Sequence, residues 1–245
     1  MNDNKKTKAK NTLLPAFLVA AGMGISIAFL YLFAQLAEEM LESEVESFDD
    51  RIIGFFNQFS NNVVDVIMFW ITESGSIWFL SFFSLVTLSF LWTKKKDKWS
   101  IIFFIITIGG GGLLTKILKI SFGRERPSIN EAIDAVGYSF PSGHSMGSFL
   151  FYGFLGYLIL RSNLKKPIKW TAFYLCGLMT ILIGTSRIYL GAHYPSDVIA
   201  GYLAGGFWLI ICLLALEYVK WRSASQKKPI RAFKEFIGRQ LDHKL

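Results

Sequence analysis

The chain has 245 residues, of which 52% are hydrophobic, 16% aromatic and 18% charged. Soluble domains of this length rarely combine so large an apolar fraction with so few charges, so the composition excludes an ordinary soluble protein and indicates a membrane protein. The net charge of +8 does not indicate nucleic-acid binding, because the lysines and arginines cluster between apolar segments and near both ends of the chain.

Six apolar segments of the sequence are predicted membrane spans, since crossing a hydrocarbon core of about 30 Å takes about 20 helical residues. The first follows a lysine-rich start; it is too long for a signal peptide, no small-residue cleavage pattern follows it, and we expect it to be retained. The sequence therefore predicts an all-α, polytopic membrane protein, a bundle of six transmembrane helices. The spans are 13–36, 76–93, 99–120, 145–160, 170–186 and 197–218.

The segment between the first two spans has a different character. Residues 38–50 are strongly acidic, with seven carboxylates. After them, residues 52–59 and 63–71 alternate apolar and polar side chains at near-helical spacing. This pattern is typical of short helices that lie against a membrane surface, and we expect two such interfacial helices here.

The charge of the loops predicts the orientation in the membrane. Basic residues cluster before the first span, between the second and third, between the fourth and fifth, and after the last. The positive-inside rule places these regions in the cytoplasm, together with both termini and the basic tails 1–12 and 219–245. No internal repeat or linker is visible, so residues 1–245 are expected to form one domain. The loops that then face outward are 37–75, 121–144 and 187–196.

Small residues inside the predicted spans indicate close packing between helices. Residues 109–112 are four consecutive glycines, which predict close helix packing and leave a flexible hinge as the alternative. Gly201 and Gly205 form a small-xxx-small pair that is also expected to pack. Cys176 and Cys212 lie in apolar runs without metal-like spacing, so we expect small buried side chains and no disulfide.

Three polar clusters lie in the predicted outward loops, next to the ends of apolar segments. Each has an explanation without function: basic residues at span ends reach the headgroup region, and serine is a favoured helix cap. Their joint occurrence is harder to explain in that way. The clusters are residues 119–127, 141–144 and 186–197.

The histidines single these clusters out. The chain has three histidines: His144 and His193 fall in the clusters, and His243 lies in the basic tail. If a helix starts at Pro195, where proline is favoured, the carboxylate of Asp197 can accept the imidazole N–H of His193. That hydrogen bond fixes the tautomer and leaves the other ring nitrogen available for attack.

The cationic residues of the clusters suit an anion with several oxygens. Lys119, Arg126 and Arg187 supply positive charge and the N–H donors that phosphate oxygens accept. Ser142 and Gly143 would open the fourth span, and the amides of a helix N-terminus bind anions, which the missing side chain of Gly143 lets approach closely. The residues therefore predict a phosphate site.

Together the clusters resemble the three signature motifs of the type 2 phosphatidic acid phosphatase superfamily. They match in order, with no missing member, and cover about the central third of the chain. The superfamily includes bacterial phosphatidylglycerophosphate and undecaprenyl diphosphate phosphatases, glucose-6-phosphatase and soluble vanadium haloperoxidases; the apolar spans argue against the last branch. The matching residues are Lys119-x6-Arg126-Pro127, Pro141-Ser142-Gly143-His144 and Ser186-Arg187-x5-His193-x3-Asp197.

The resemblance implies a role for each motif residue. His193 would be the nucleophile that forms a phosphohistidine, Asp197 would orient it, and His144 would protonate the leaving oxygen. No carboxylate cluster suited to Mg²⁺ stands beside them, so no metal or other cofactor is expected and cationic side chains take its place. The residues implied to hold the phosphoryl group are Lys119, Arg126, Ser142, Gly143 and Arg187.

The implied function is hydrolysis of a terminal phosphate from a lipid phosphate or diphosphate, on the extracytoplasmic face of the cell membrane. Undecaprenyl diphosphate, phosphatidylglycerophosphate and phosphatidic acid are all candidate substrates. A site at the outer ends of the helices would contact lipid headgroups while the hydrocarbon tails stay in the bilayer. The expected partners are the bilayer and its lipid, with neither nucleic acid nor an obligate protein partner. The alternatives are a lipid phosphotransferase and a non-enzymatic anion transporter. The polar clusters lie at one face of the membrane and the sequence has no internal repeat, and both observations argue against a transporter.

Overall fold

The computed structural model describes residues 3–127 and 137–242, and the side chains within 17–93, 96–127 and 137–223. Every described element is helical, which confirms the all-α prediction. Of the predicted features, His243 and parts of the two basic tails lie outside these residues. The elements are α1 (Asp3–Leu41), α2 (Glu46–Asn57), α3 (Asn62–Glu73), α4 (Ile77–Phe90), a π-helical turn (Leu91–Lys95), α5 (Lys98–Phe122), α6 (Gly143–Leu160), α7 (Lys166–Tyr189) and α8 (Pro195–Asp242).

The predicted count of six spans is not confirmed. Among the described residues, four helices are long and apolar enough to cross a membrane, and α3 with α4, bent by 45°, makes a fifth if the pair is one broken span. Two helices account for the difference. The 14 residues of α4 reach only about 21 Å, and α6 begins with a polar turn. The four helices are Phe17–Leu41, Lys98–Phe122, Lys166–Tyr189 and Pro195–Ser223.

The two short helices expected after the first span are present as α2 and α3. Asn61 caps α3, because its side chain accepts hydrogen bonds from the N–H groups of Val63 and Val64. α2 begins earlier than expected, at Glu46 inside the acidic stretch. As a result Asp49 lies on a helix and is only 1% exposed. The location of both helices at a membrane surface stays a prediction.

Helix α6 is the centre of the bundle. It packs against α4, α5, α7 and α8, and α8 also packs along α1. The side chains of Met146, Leu150 and Phe154 on α6 are almost completely buried. Lipid is as apolar as these side chains, so close packing rather than removal from water holds such helices together. Cys176 and Cys212 are free thiols; Cys212 is buried, as expected, whereas Cys176 is only half-buried.

Glycines allow α5 and α8 to approach α6 closely. A Cβ atom at Gly201 would lie 2.8 Å from the Ser142 carbonyl oxygen, and one at Gly111 would lie 2.0 Å from Leu150 Cδ1. α5 continues through the glycine run without a break, so no hinge is visible there. The packing prediction is confirmed for Gly110, Gly111, Gly201 and Gly205, but at Gly109 and Gly112 an added Cβ would meet nothing within 4 Å.

The three polar clusters collect at one end of the bundle. α5 and α7 end there, and α6 and α8 begin there. Gly123 terminates α5 with a φ of 61°, a left-handed cap conformation that glycine adopts without strain. At the opposite end, Arg161 pairs with Glu217 at 3.4 Å and Lys220 pairs with Asp97 at 2.8 Å. The bundle therefore separates the polar clusters from the basic loops.

Candidate active site

A cavity of about 700 Å³ lies between α4, α5 and α6 and reaches the polar clusters. One end of it is lined by cationic side chains and imidazoles, and the rest is mainly apolar. Three stretches of chain that are distant in sequence therefore meet at one place. The lining residues that come from the three predicted motifs include Lys119, Arg126, His144, Arg187 and His193, and Lys116 adds a fourth cation.

The imidazole of His193 is held through its Nδ1 atom. α8 begins at Pro195, as expected, and Asp197 turns back so that its Oδ2 atom lies 3.3 Å from His193 Nδ1. The same oxygen accepts hydrogen bonds from the Tyr194 N–H at 3.0 Å and from the Ser139 hydroxyl. His193 is 1% and Asp197 0% exposed, so water does not compete for this pair.

The other ring nitrogen of His193 faces a guanidinium. Arg126 Nη1 lies 3.2 Å from His193 Nε2 and donates to the Ala192 carbonyl at 2.8 Å, while Arg126 Nε donates to the Gly137 carbonyl at 2.8 Å. A guanidinium is always a donor, so Nε2 is the unprotonated nitrogen and Nδ1 carries the proton toward Asp197. This tautomer is the one that a nucleophilic imidazole needs.

Burial keeps both imidazoles neutral. It lowers the pKa of His193 from 6.5 to about 4; Asp197 raises that pKa, and Arg126 and Arg187 lower it further. His144, which precedes the apolar part of α6, has its pKa lowered far more, by burial first and then by the charge of Arg187. A general acid needs a proton, so the acid role predicted for His144 requires that it gain one together with a phosphate, whose negative charge would offset the cations.

Ser142 joins the start of α6 to α8. Its hydroxyl accepts hydrogen bonds from the N–H and the hydroxyl of Ser145, at 3.4 and 2.9 Å, and its own N–H donates to the Asp197 carbonyl at 2.9 Å. Of the first residues of α6, Gly143 and His144 line the cavity and Ser142 is fully buried behind them. The structure thus places Ser142 as a cap that positions the two residues after it.

Arg187 and Lys119 complete the positive lining. Buried Arg187 donates from Nη1 to the Thr72 hydroxyl at 3.0 Å, while its Nε has no hydrogen-bond partner among the described residues. Lys119 donates to the carbonyls of Ser139, at 3.3 Å, and Tyr138. A buried donor without a partner costs about 1–3 kcal/mol, which an oxygen of a bound anion would relieve.

A hydrogen-bonded network behind Asp197 was not assigned from the sequence. Arg124 Nη1 donates to Asp197 Oδ1 and to the Ser196 hydroxyl, both at 2.7 Å, and its Nη2 donates to Asp49 Oδ2 at 2.9 Å. Asp49 in turn accepts from the Ser196 N–H at 2.9 Å and from its hydroxyl at 2.6 Å. We call Asp49, Arg124 and Ser196 the Asp49–Arg124 network. It holds the Asp197 oxygen that does not face His193.

Only part of this network had a signal in the sequence. Arg124 lies between Lys119 and Arg126 in the first motif, although an ordinary loop position explains it equally well. The guanidinium of Arg124 also lies 4.1 Å from the centre of the Tyr194 ring. Asp49, 75 residues before Arg124, is one of seven similar carboxylates, and nothing in the sequence distinguishes it.

Known proteins share both the sequence and the fold. Residues 98–221, which contain all three polar clusters, match the family described as the PAP2 superfamily. Phosphatidylglycerophosphatase B of Bacillus subtilis is 27% identical over 184 residues, covering 73% of this chain and 88% of that protein. Lipid A 1-phosphatase of Rhizobium etli is 33% identical over 133 residues, covering 50% of this chain and 52% of that protein. A crystal structure of a transmembrane PAP2-type phosphatidylglycerolphosphate phosphatase from Bacillus subtilis matches with a TM-score of 0.73 and 25% identity, covering 79% of this chain and 96% of that chain.

Proposed function

We propose that this chain, which belongs to the PAP2 superfamily, is a multi-pass membrane phosphatase that hydrolyses the terminal phosphate of a lipid phosphate or diphosphate. One observation carries the proposal: a single cavity joins two imidazoles and four cations, Lys116 among them, to a long apolar wall. The charged end fits a phosphoryl group and the apolar wall fits a hydrocarbon tail. The similarity to phosphatidylglycerophosphatase B and lipid A 1-phosphatase supports a lipid substrate.

In the proposed reaction, Nε2 of His193 attacks the phosphorus atom and the bond to the leaving oxygen breaks. Asp197 keeps the imidazole proton on Nδ1 and stabilises the positive charge that the ring acquires. His144 gives its proton to the leaving oxygen, then takes a proton from the water that attacks the phosphohistidine. Inorganic phosphate leaves, and the two imidazoles return to their starting states.

Fixed positive groups stabilise the transition state of both steps. Lys119, Arg126 and Arg187 line the phosphate end of the cavity, beside the amides that open α6 at Gly143. Donors held in place before the reaction cost no reorganisation when charge develops on the phosphoryl oxygens. Because these side chains supply the charge that a metal ion would otherwise provide, the proposed mechanism is metal-independent.

The proposal places the site on the extracytoplasmic face. The cavity's polar end lies where α5 and α7 end, whereas the basic loops around residues 96–98 and 161–169 lie at the opposite end of the bundle. The positive-inside rule assigns the basic end to the cytoplasm. Both termini are then cytoplasmic, and we treat residues 1–245 as one membrane-embedded domain.

The test is phosphate release by the purified protein in detergent, with phosphatidic acid, phosphatidylglycerophosphate, undecaprenyl diphosphate and a soluble sugar phosphate as substrates. We expect turnover of at least one lipid, undiminished by a metal chelator. A soluble ester hydrolysed as fast as every lipid would contradict the lipid assignment, and chelator-induced loss reversed by Mg²⁺ would contradict the metal-free mechanism. With ³²P-labelled substrate, label in free phosphate indicates hydrolysis, and label in a second lipid indicates transfer.

A further inference from the structure

The hydroxyl of Thr72 on α3 differs in its bonding from the hydroxyls of other threonines in the bundle. Among the described residues its one hydrogen bond is to another helix: the oxygen accepts from Nη1 of Arg187 on α7 at 3.0 Å. Thr72 is only 2% exposed, so water does not compete for this bond. Five other threonines donate instead to the carbonyl four residues earlier in the chain, namely Thr87, Thr93, Thr107, Thr115 and Thr180.

The bond to Thr72 decides which part of the Arg187 guanidinium remains for an anion. In a guanidinium the N–H groups of Nε and Nη2 point the same way along one edge, and two phosphate oxygens can accept from that pair. Thr72 binds Nη1, which is not part of that edge. Neither Nε nor Nη2 has a hydrogen-bond partner among the described residues, and Nε is buried. Arg187 therefore has its two-donor edge available in a side chain that lines the cavity.

Hydrogen bonds on both sides of Thr72 fix α3 against the bundle. Near the start of α3, Asp65 accepts from the hydroxyl of Tyr189 on α7 at 2.6 Å. Just after the end of α3, the Ser74 carbonyl accepts from the hydroxyl of Tyr152 on α6 at 3.1 Å. The hydroxyl of Thr72 is therefore an acceptor in a fixed place, because the helix that carries it is bonded to two of its neighbours.

We propose that Thr72 is a positioning residue of the active site, whose hydroxyl holds Arg187 so that the Nε–Nη2 edge binds two oxygens of the phosphoryl group. The inference rests on the proposed function, because the anion at Arg187 is the phosphoryl group of the lipid. Thr72 does not line the cavity, so it acts through Arg187 and not by touching the substrate. It also lies before residues 98–221, so α3 adds a group that the family match does not contain.

The physical reason is the freedom of a long side chain. Arginine has many rotamers, and a guanidinium without a fixed acceptor can turn its donors away from the phosphoryl oxygens. A donor that is already in place when charge develops on those oxygens needs no reorganisation. The contact with Thr72 therefore contributes to the transition state although it lies outside the cavity.

The experiment compares Thr72→Val with Thr72→Ser and with a matched control, Thr107→Val. Valine resembles threonine in shape but lacks the hydroxyl, whereas serine keeps it. Thr107 is fully buried, donates to the Phe103 carbonyl within its own helix at 2.7 Å, and does not line the cavity. The substrate is the ³²P-labelled lipid phosphate that the wild-type protein hydrolyses fastest, and inorganic phosphate is the inhibitor. Elution volume in detergent and the unfolding temperature check that each variant is folded.

For Thr72→Val we expect kcat/KM to fall about tenfold or more, because the lost hydrogen bond is one to a charged group. The inhibition constant of inorganic phosphate should rise about fivefold or more, since the same edge of Arg187 binds the product. Thr72→Ser should stay within about threefold of wild type in both quantities, and Thr107→Val within about twofold. If Thr72→Val does not fold, Thr72→Ala removes the same oxygen and should show the same losses.

A double-mutant cycle separates the positioning of Arg187 from support of the fold. In an Arg187→Ala background Thr72 has no guanidinium to hold, so adding Thr72→Val should change kcat/KM by less than about twofold. A threonine that only supported the packing of α3 would lower kcat/KM by the same factor in both backgrounds.

Three outcomes overturn the inference. They are a kcat/KM of Thr72→Val within about twofold of wild type, a loss in Thr72→Ser as large as in Thr72→Val, and an equal effect of Thr72→Val with and without Arg187. Each leaves the proposed function intact, because wild-type turnover of lipid phosphates is measured first. A wild-type protein that hydrolyses no lipid phosphate would instead refute the proposed function itself.

Discussion

The two histidines of the site have contrasting surroundings. His193 is enclosed: Asp197, Ser139 and Arg126 contact its ring nitrogens, and the Asp49–Arg124 network holds Asp197 in turn. His144 lines the cavity from the first turn of α6, and within the described part of the chain no hydrogen bond holds its imidazole. The contrast matches the proposed roles. A nucleophile must approach phosphorus along one line, whereas an acid must meet a leaving oxygen whose position varies with the substrate.

The largest effect should come from removing the enclosed imidazole. His193→Ala is expected to lower turnover at least about 10⁴-fold, over 5 kcal/mol of barrier, because the cations alone cannot form the covalent intermediate. Phosphate release measures this, with the elution volume in detergent as the check that the variant is folded. Residual activity within about tenfold of wild type would remove His193 from the nucleophile role.

The next effect tests the hydrogen bond that orients His193. Asp197→Asn is expected to lower kcat about 10³- to 10⁴-fold, because an amide stabilises the wrong tautomer. In wild type, kcat/KM should fall as the pH drops through about 4, where neutral His193 becomes protonated. Asp197 raises the pKa of His193, so the variant should lose activity at a still lower pH. A pH–rate profile corrected for ionisation of the ester measures both, and a shift to higher pH in the variant contradicts the assignment.

Removing the other imidazole should have an effect that depends on the leaving group. His144→Ala is expected to slow hydrolysis of a lipid phosphate about 10²- to 10³-fold, because an alkoxide is a poor leaving group without a proton. The loss with p-nitrophenyl phosphate should be less than about tenfold, since the aryl oxide leaves unaided. Equal losses with the two substrates, measured as kcat ratios, would show that His144 is not the acid.

The smallest effect should come from the Asp49–Arg124 network, which contacts Asp197 and not His193 itself. Asp49→Asn weakens the bonds to Arg124 and Ser196, so we expect kcat to fall about tenfold while KM changes little. The matched control is Asp50→Asn, because Asp50 is the exposed neighbour on α2, and its turnover should stay within about twofold of wild type. A lower unfolding temperature with unchanged kcat would show that Asp49 supports the fold alone.

The features that could be predicted from the sequence are those with local causes. The start of α8 at Pro195 and the cap at Ser142 follow from the conformations these residues favour. The cationic motif residues were recognisable because charged groups beside apolar spans are costly and therefore conspicuous. The all-α fold follows from the membrane, where a helix satisfies its own backbone hydrogen bonds.

The features that were missed depend on contacts between distant segments. Asp49 reaches Arg124 across 75 residues and Thr72 reaches Arg187 across 115, and no periodicity in the sequence encodes either contact. The four glycines 109–112 looked alike in the sequence, yet an added Cβ would overlap a side chain at Gly110 and Gly111 and would meet nothing within 4 Å at Gly109 and Gly112. The predicted six spans are not confirmed for a different reason, because α4 has only 14 residues and α6 begins with a polar turn.

The buried Nε of Arg187 also bears on how the enzyme responds to its own reaction. This N–H is removed from water and has no partner among the described residues. Any tetrahedral oxyanion that reaches it relieves the same penalty, whether it is an ester or liberated inorganic phosphate. Under the proposed function, substrate and product compete for this donor, so inorganic phosphate is expected to inhibit the enzyme as it accumulates.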